Sequence, residues 1–154
     1  KLVHGLVPPE AGHMILRRHP EDRFAGNCPY HGDCLEGLAA GPAIEKRWGT
    51  KGAQLPPGHP AWPIEAHYIA QAVVNTILLL SPKRIILGGG VMKQEHLFPL
   101  IRDEVRRMLA GYVRSAAVEE AVDEYIVPPG LGDNAGLCGA LALGLEALRS
   151  ASAP

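Results

Sequence analysis

No apolar run in this sequence is long enough to cross a bilayer. The longest, around residues 77–80, falls far short of the ~20 residues a spanning helix needs. A secretory leader is also missing, because Lys1 is followed by His4, Gly5 and the pair Pro8-Pro9 rather than by an apolar core. There is no excess of charge of one sign. Fifteen Lys and Arg against sixteen Asp and Glu leave a net charge of -1, so nothing steers the chain toward nucleic acid or a membrane surface. Even the densest basic pairs, Arg17-Arg18 and Arg106-Arg107, read as solvated surface. Cysteine is scarce, and three is an odd number, which does not form a disulfide framework of the secreted type. A reducing cytoplasm is the expected location. An initiator methionine is lacking too; the chain enters at once into the strand-like run Lys1-Leu2-Val3 and reads as cut partway into a longer protein.

What is present suits one folded domain. At 154 residues, 47% hydrophobic and 20% charged, the chain can bury a real core. Residues 2–7 and 14–16 look like short strands joined at Pro8-Pro9. Residues 19–34 form an irregular loop rich in Gly, Pro, Asn, Asp, Cys and His. A helix is expected over 35–48, weakened by Gly37, Gly41 and Pro42, followed by a Pro/Gly-rich connector over 49–61. Beyond it, Ile69, Val73, Thr76, Ile77 and Leu80 mark a helix over 62–80 that Ser81-Pro82 stops. A buried strand follows at 84–87, then a helix carrying Leu97, Leu100, Ile101, Val105 and Met108 that ends near Gly111. A strand at 124–127 and a helix carrying Leu137, Leu141, Leu145 and Leu148 complete the order. Strands alternating with helices predict an α/β architecture with parallel pairing over 62–150.

The densest chemistry lies in Cys28-Pro29-Tyr30-His31-Gly32-Asp33-Cys34. Three potential ligands, each pair separated by two residues, can be aimed at one point by a turn built on Pro29 and Gly32. Zinc takes four such groups in a tetrahedron. The expected ligands are Cys28, His31, Cys34 and, from upstream, His13, with His19 and Asp33 as substitutes. Four protein donors leave no open position, so the ion would be structural. The competing reading is a loop with two free thiols or a Cys28–Cys34 disulfide. Cys138, beside Leu137, is expected to be a packed thiol.

These residues also carry a resemblance. Glu10-Ala11-Gly12-His13, the Cys/His loop and Cys34-Leu35-Glu36 are similar to the signature of the ROK family (repressors, open reading frames and kinases). The string from His19-Pro20-Glu21-Asp22 through Leu38-Ala39 resembles its fructokinase branch, as do 85–92 and 131–136. Ala40 departs from the Ser of many members, a neutral packing difference. The resemblance implies the C-terminal half of an actin-like (ribonuclease H-like) ATPase fold with a zinc-binding loop. A zinc- and sugar-binding segment would span 1–48 and a nucleotide-side segment 62–150, and the N-terminal domain would be absent. It implies Glu10, His13 and Glu36 at a hexose, most directly fructose, with ATP and Mg²⁺ serving the complete enzyme. Residues three apart on a strand point to opposite faces, so Glu10 and His13 share a site only if the chain bends at Ala11-Gly12. A metal-bound imidazole can also donate its other N–H outward, which would let His13 link metal and sugar.

For the nucleotide, Gly88, Gly89 and Gly90 follow a strand and precede a helix, where bare N–H groups can approach phosphate. Gly132, Asp133 and Asn134 occupy a second such turn, although the last two could simply cap the final helix. Two turns at the same ends of adjacent strands define the usual nucleotide crevice of an α/β sheet. No catalytic base is assigned here; the resemblance places the Asp and an Asp-x-Gly-Gly-Thr phosphate loop upstream, so the isolated chain is expected to be inactive. The alternative is the sugar-sensing domain of a ROK transcriptional repressor, which an upstream helix-turn-helix would reveal. A homodimer using apolar surface near 49–69 is the expected assembly.

Overall fold

The computed structural model describes residues 5–151. Most of the chain is helical. In order come α1 (Leu35–Ala39), α2 (Gly41–Trp48), α3 (Ala61–Leu80), β1 (Ile85–Ile86), α4 (Leu97–Leu109), α5 (Ala116–Glu119), α6 (Val122–Tyr125), β2 (Ile126–Val127) and α7 (Ala135–Ala151). Short 3-10 turns precede α1, α3, α4 and α7. β1 and β2 pair in parallel, Ile85 with Ile126 and Ile86 with Val127, and are the paired strands among the described residues.

The main core lies between α3 and α4. Leu97, Ile101, Val105 and Leu109 recur every four residues along α4 and are all buried, as are Trp62, Ala66, Ala70, Val73 and Ile77 on α3. Each large apolar side chain removed from water contributes roughly 1.5–3 kcal/mol. Charged residues of α4 face outward and are used: Arg102 donates to the carbonyls of Asp123 and Ile126, and Arg106 to those of Val118 and Glu119. Arg106 is thus a brace for α5, not mere solvated surface. A smaller core of Leu38, Ala39 and Tyr68, with Leu16, Phe24 and Leu35 against it, seats residues 16–39 on α3.

Several boundaries differ from expectation. The expected strand over 2–7 lies partly outside the described residues, and positions 5–7 are bends. The strand expected over 14–16 is reduced to one antiparallel bridge, Ile15 with Cys34, just after the 3-10 turn Ala11–His13. The helix expected over 35–48 is two helices broken at Ala40, whose extended backbone ends α1 and starts α2. Pro42 sits in the first turn of α2, where its missing N–H costs nothing. At 124–127 the first two residues finish α6, whose opening turn holds Asp123 and Glu124, and strand geometry begins only at Ile126. Helix α3 stops as expected, with Ser81 at φ 43° ahead of Pro82. The apolar side chains of 49–69 are largely spent on the core, Leu55, Trp62 and Ala66 being buried. Large exposed apolar residues lie instead at Leu78, Leu79, Leu80 and along α7. Cys138 is a correction of the same kind: it is exposed, because nothing in the described chain covers that helix.

Candidate metal and ligand sites

Four donor side chains converge at the loop. The ring Nδ1 of His13 lies 3.7 Å from Cys28 Sγ and 3.6 Å from Cys34 Sγ, and His31 Nδ1 lies 3.8 Å from Cys28 Sγ. All four donor atoms fall within 4.8 Å of one another. Donors on a tetrahedral zinc, with bonds of ~2.0–2.3 Å, stand roughly 3.4–3.8 Å apart. The quartet therefore fits such an ion in both donor type and spacing. Cys28 and Cys34 are free thiols. The backbone N–H of His31, 3.5 Å from the sulfur, leads the interactions that bring the Cys28 thiol down to about 6. Burial pushes Cys34 up, and the neighbouring Cys28 adds to the effect. The two substitutes for His13 are engaged elsewhere. His19 Nδ1 accepts the Glu21 N–H and its ring meets His67 edge-on, while Asp33 pairs with Arg18 at 3.2 Å.

The loop owes its shape to close packing on α1. A Cβ on Gly37 would overlap the Gly32 carbonyl and press Cys28 at 3.0 Å, so the glycine that weakens the helix in sequence terms is what lets the loop dock. Gly26, at φ 102°, meets the same carbonyl. The bend anticipated between Glu10 and His13 is a 3-10 turn, Ala11–His13, closed by the His13 N–H on the Glu10 carbonyl. Glu10 itself lies just outside the turn, with non-helical backbone at φ -115° and ψ 64°. His13 Nε2, the nitrogen turned away from the sulfurs, lies 3.7 Å from Glu36 Oε2. Gly12 lies beside that carboxylate, where a Cβ would make only ordinary contact at 3.6 Å. Glu36 and His13 are brought together; Glu10 is exposed at the head of the turn.

Behind the loop lies a polar cluster the sequence did not disclose. Asp22 is buried, paired with Arg47 at 3.0 Å, and accepts the Tyr68 hydroxyl at 2.6 Å and the Phe24 N–H at 3.0 Å. Burial raises its carboxyl, but these partners together outweigh it and hold the group below its ordinary value. Arg18 reaches the Phe24 and Asp22 carbonyls as well as Asp33, so it too is structural. Glu65 is buried beside Arg47 with both carboxylate oxygens lacking a hydrogen bond. Burial drives its carboxyl well above the usual range, more strongly than Arg47 lowers it.

The turns after β1 and β2 face each other across a separate cleft of about 1060 Å³. Gly88, Gly89, Gly90, Gly132 and Asp133 line it, and Asn134 instead closes the 3-10 turn with its N–H on the Leu131 carbonyl. Gly88 has a packing reason to be glycine: a Cβ would stand 2.8 Å from Pro129 Cγ. Gly89, at φ 96°, has a conformational one. Gly90 has neither, being open to the cleft with nothing within 4 Å of a Cβ. Lys93 lies along the wall and pairs with Asp133 at 2.7 Å. A second hollow of about 440 Å³ shares Gly90 and runs between α2 and α3 over Ile44 and Trp62, with Glu45 and Lys51 on its wall. Neither Lys93 nor this hollow was marked by sequence reasoning, since its walls come from separate parts of the chain.

The ROK family model matches residues 1–147. The chain belongs to the ROK family. Membership implies an actin-like ATPase fold for this ROK chain, here an α/β structure composed mostly of helices. It is 50% identical over 153 residues to a putative fructokinase of Bacillus subtilis (strain 168), covering 99% of this chain and 51% of that protein. It is 50% identical over 152 residues to a fructokinase of Pediococcus pentosaceus, covering 97% and 51%. A fructokinase of Zymomonas mobilis matches at 45% over 150 residues, covering 96% and 48%. The ROK chain thus spans about half the length of these curated relatives. Among its described residues no helix is long and apolar enough to cross a membrane.

Proposed function

We propose that this chain is the zinc-, sugar- and nucleotide-binding half of an ATP-dependent hexose kinase, with D-fructose converted to fructose 6-phosphate. The observation that carries the reading is His13, whose two ring nitrogens face different chemistries: Nδ1 the two sulfurs, Nε2 the Glu36 carboxylate. In this reading His13, Cys28, His31 and Cys34 hold a structural zinc. With all four positions taken by protein, the ion fixes the imidazole and does not bind substrate. The orientation of His13 in turn places Glu36, and with Glu10 at the head of the same turn these groups accept and donate hydrogen bonds to sugar hydroxyls.

The glycine cleft takes the phosphates of ATP, with open backbone at Gly90 and the Lys93 ammonium near the charge. The adjoining hollow over Trp62 and Ile44 suits the base. Mg²⁺ and the proton-accepting Asp would come from polypeptide outside this chain, as the ROK resemblance implies.

Glu36→Ala in the full-length enzyme tests the assignment. The expected result is a rise of at least tenfold in hexose KM with zinc content unchanged. Loss of zinc with sugar binding intact would show the roles reversed and defeat the reading.

A further inference from the structure

One group of ionisable side chains serves neither the metal loop nor the clefts. His67 on α3 and His19 at the start of the loop meet edge-on, their ring centroids 4.9 Å apart at 86°. His67 turns Nδ1 toward Glu104 of α4, at 3.4 Å from Oε2. That carboxylate is already held by two nitrogens of Arg107, at 3.0 and 2.7 Å. The Tyr68 ring lies 5.6 Å from His67, and burial pushes its hydroxyl up to about 12, so it stays neutral. The contacts of each imidazole suit its uncharged form. His19 Nδ1 accepts the Glu21 N–H at 3.2 Å and must therefore carry a lone pair. His67 Nε2 is buried without a partner; bearing a proton, it would be an unsatisfied donor on a largely buried cation. The pair also sits at a junction of the chain. The His19 N–H donates to the Tyr68 hydroxyl, the His19 carbonyl accepts the Asp22 N–H, and Tyr68 donates to Asp22. These contacts moor on α3 the segment that leads to Cys28.

We propose that His19 and His67 form a proton-operated latch, which docks residues 19–27 on α3 while both rings are neutral and releases them when the rings become cations. A proton added to His19 sets an Nδ1–H against the Glu21 N–H, and one added to His67 leaves a buried N–H bare. Two cations at this separation also repel. Glu104 cannot offset that cost in full, because Arg107 already neutralises it. Burial leads the effects that hold the His67 imidazole below its ordinary value; Glu104 opposes it, while His19 and Arg107 add to it. With the folded value below the unfolded one of about 6.5, docking is complete above the unfolded value and is lost as pH falls through the folded one. The latch needs neither sugar, nucleotide nor metal.

The test compares the chain with its His19→Asn/His67→Asn variant, since asparagine can accept at the first position and donate at the second but does not titrate. Hydrogen exchange is read at the Asp22, Phe24 and Asn27 amides near pH 7.5 and pH 5.5, as protection factors, with the amides of residues 73–77 in α3 as internal reference. The expected result on acidification is a loss of about tenfold or more in the parent against less than about twofold in the variant. Equal losses would overturn the latch and point instead to acid acting on the thiolate quartet, which both proteins retain. The imidazole titration of His67 in the parent, followed by NMR, gives a reading that survives a variant that fails to fold. A midpoint below about 6.5 is expected, and one at or above it would overturn the proposal.

Discussion

Around His13 the chain is shaped by side chains reaching across sequence, whereas around Gly90 much of the wall is glycine backbone. The first region is braced from behind by Asp22, Arg47 and Tyr68, and its glycines are fixed by contact with the Gly32 carbonyl. The second is crossed by an exposed ion pair, and a Cβ on its central glycine, Gly90, would meet nothing within 4 Å. The first region converges four donor side chains on one point, while the second leaves open backbone along a cleft.

That contrast can be broken most severely at the metal. Cys34→Ala should abolish stoichiometric zinc and lower unfolding free energy by more than ~3 kcal/mol, given how strongly four-ligand zinc couples to folding. Metal analysis and denaturant titration of the same preparation check it. Next comes the brace. Asp22→Ala leaves Arg47 buried without its partner and should cost about 3–5 kcal/mol, while Lys93→Ala, across the exposed pair, should change stability by under ~1 kcal/mol. A smaller difference separates two glycines. Gly37→Ala should cost roughly 1–3 kcal/mol through displacement of the loop, and Gly90→Ala less than ~0.5 kcal/mol. In the full-length enzyme, however, the second should weaken ATP binding, read by calorimetry.

The two buried acids sharpen the picture through pH. The carboxyl of Asp22 is lowered on folding, so its contribution is complete above the unfolded value of about 3.9 and is lost as pH falls through the folded one. Glu65 is raised. Its neutral form is favoured by the fold, so stability falls as pH rises above about 4.3 toward the folded value. Glu65→Gln should remove that slope, so that the variant gains on the parent as pH rises above about 4.3. Stability curves at several pH values decide it. Cys138→Ser should have the smallest effect on the isolated chain, under ~0.5 kcal/mol by thermal melting, because its thiol is exposed.

The pattern of legibility follows from the same physics. Helices α3 and α4 could be read because each carries a long apolar stripe, and periodicity reports burial directly. The donor quartet could be read because three members sit within seven residues. The cluster behind it could not. Asp22 meets Arg47 and Tyr68 across 25 and 46 positions, and no local pattern says which acid will find which base. Tyr125 sits next to two β-formers, but two acids in the opening turn and Arg102 on nearby carbonyls favour a helix there. For Cys138 the apolar neighbourhood was correctly seen. Its exposure could not be read, because an apolar pattern does not say what lies against it.

The pair formed by Lys93 and Asp133 has one last consequence. Both ends are bathed in solvent, at 61% and 80% side-chain exposure, so the attraction is largely cancelled by water and salt. An arriving polyanion can therefore recruit the lysine in exchange for the aspartate at almost no cost in free energy. Occupancy of the cleft should then fall with ionic strength, and Asp133 should be released toward solvent or a divalent cation as the exchange occurs.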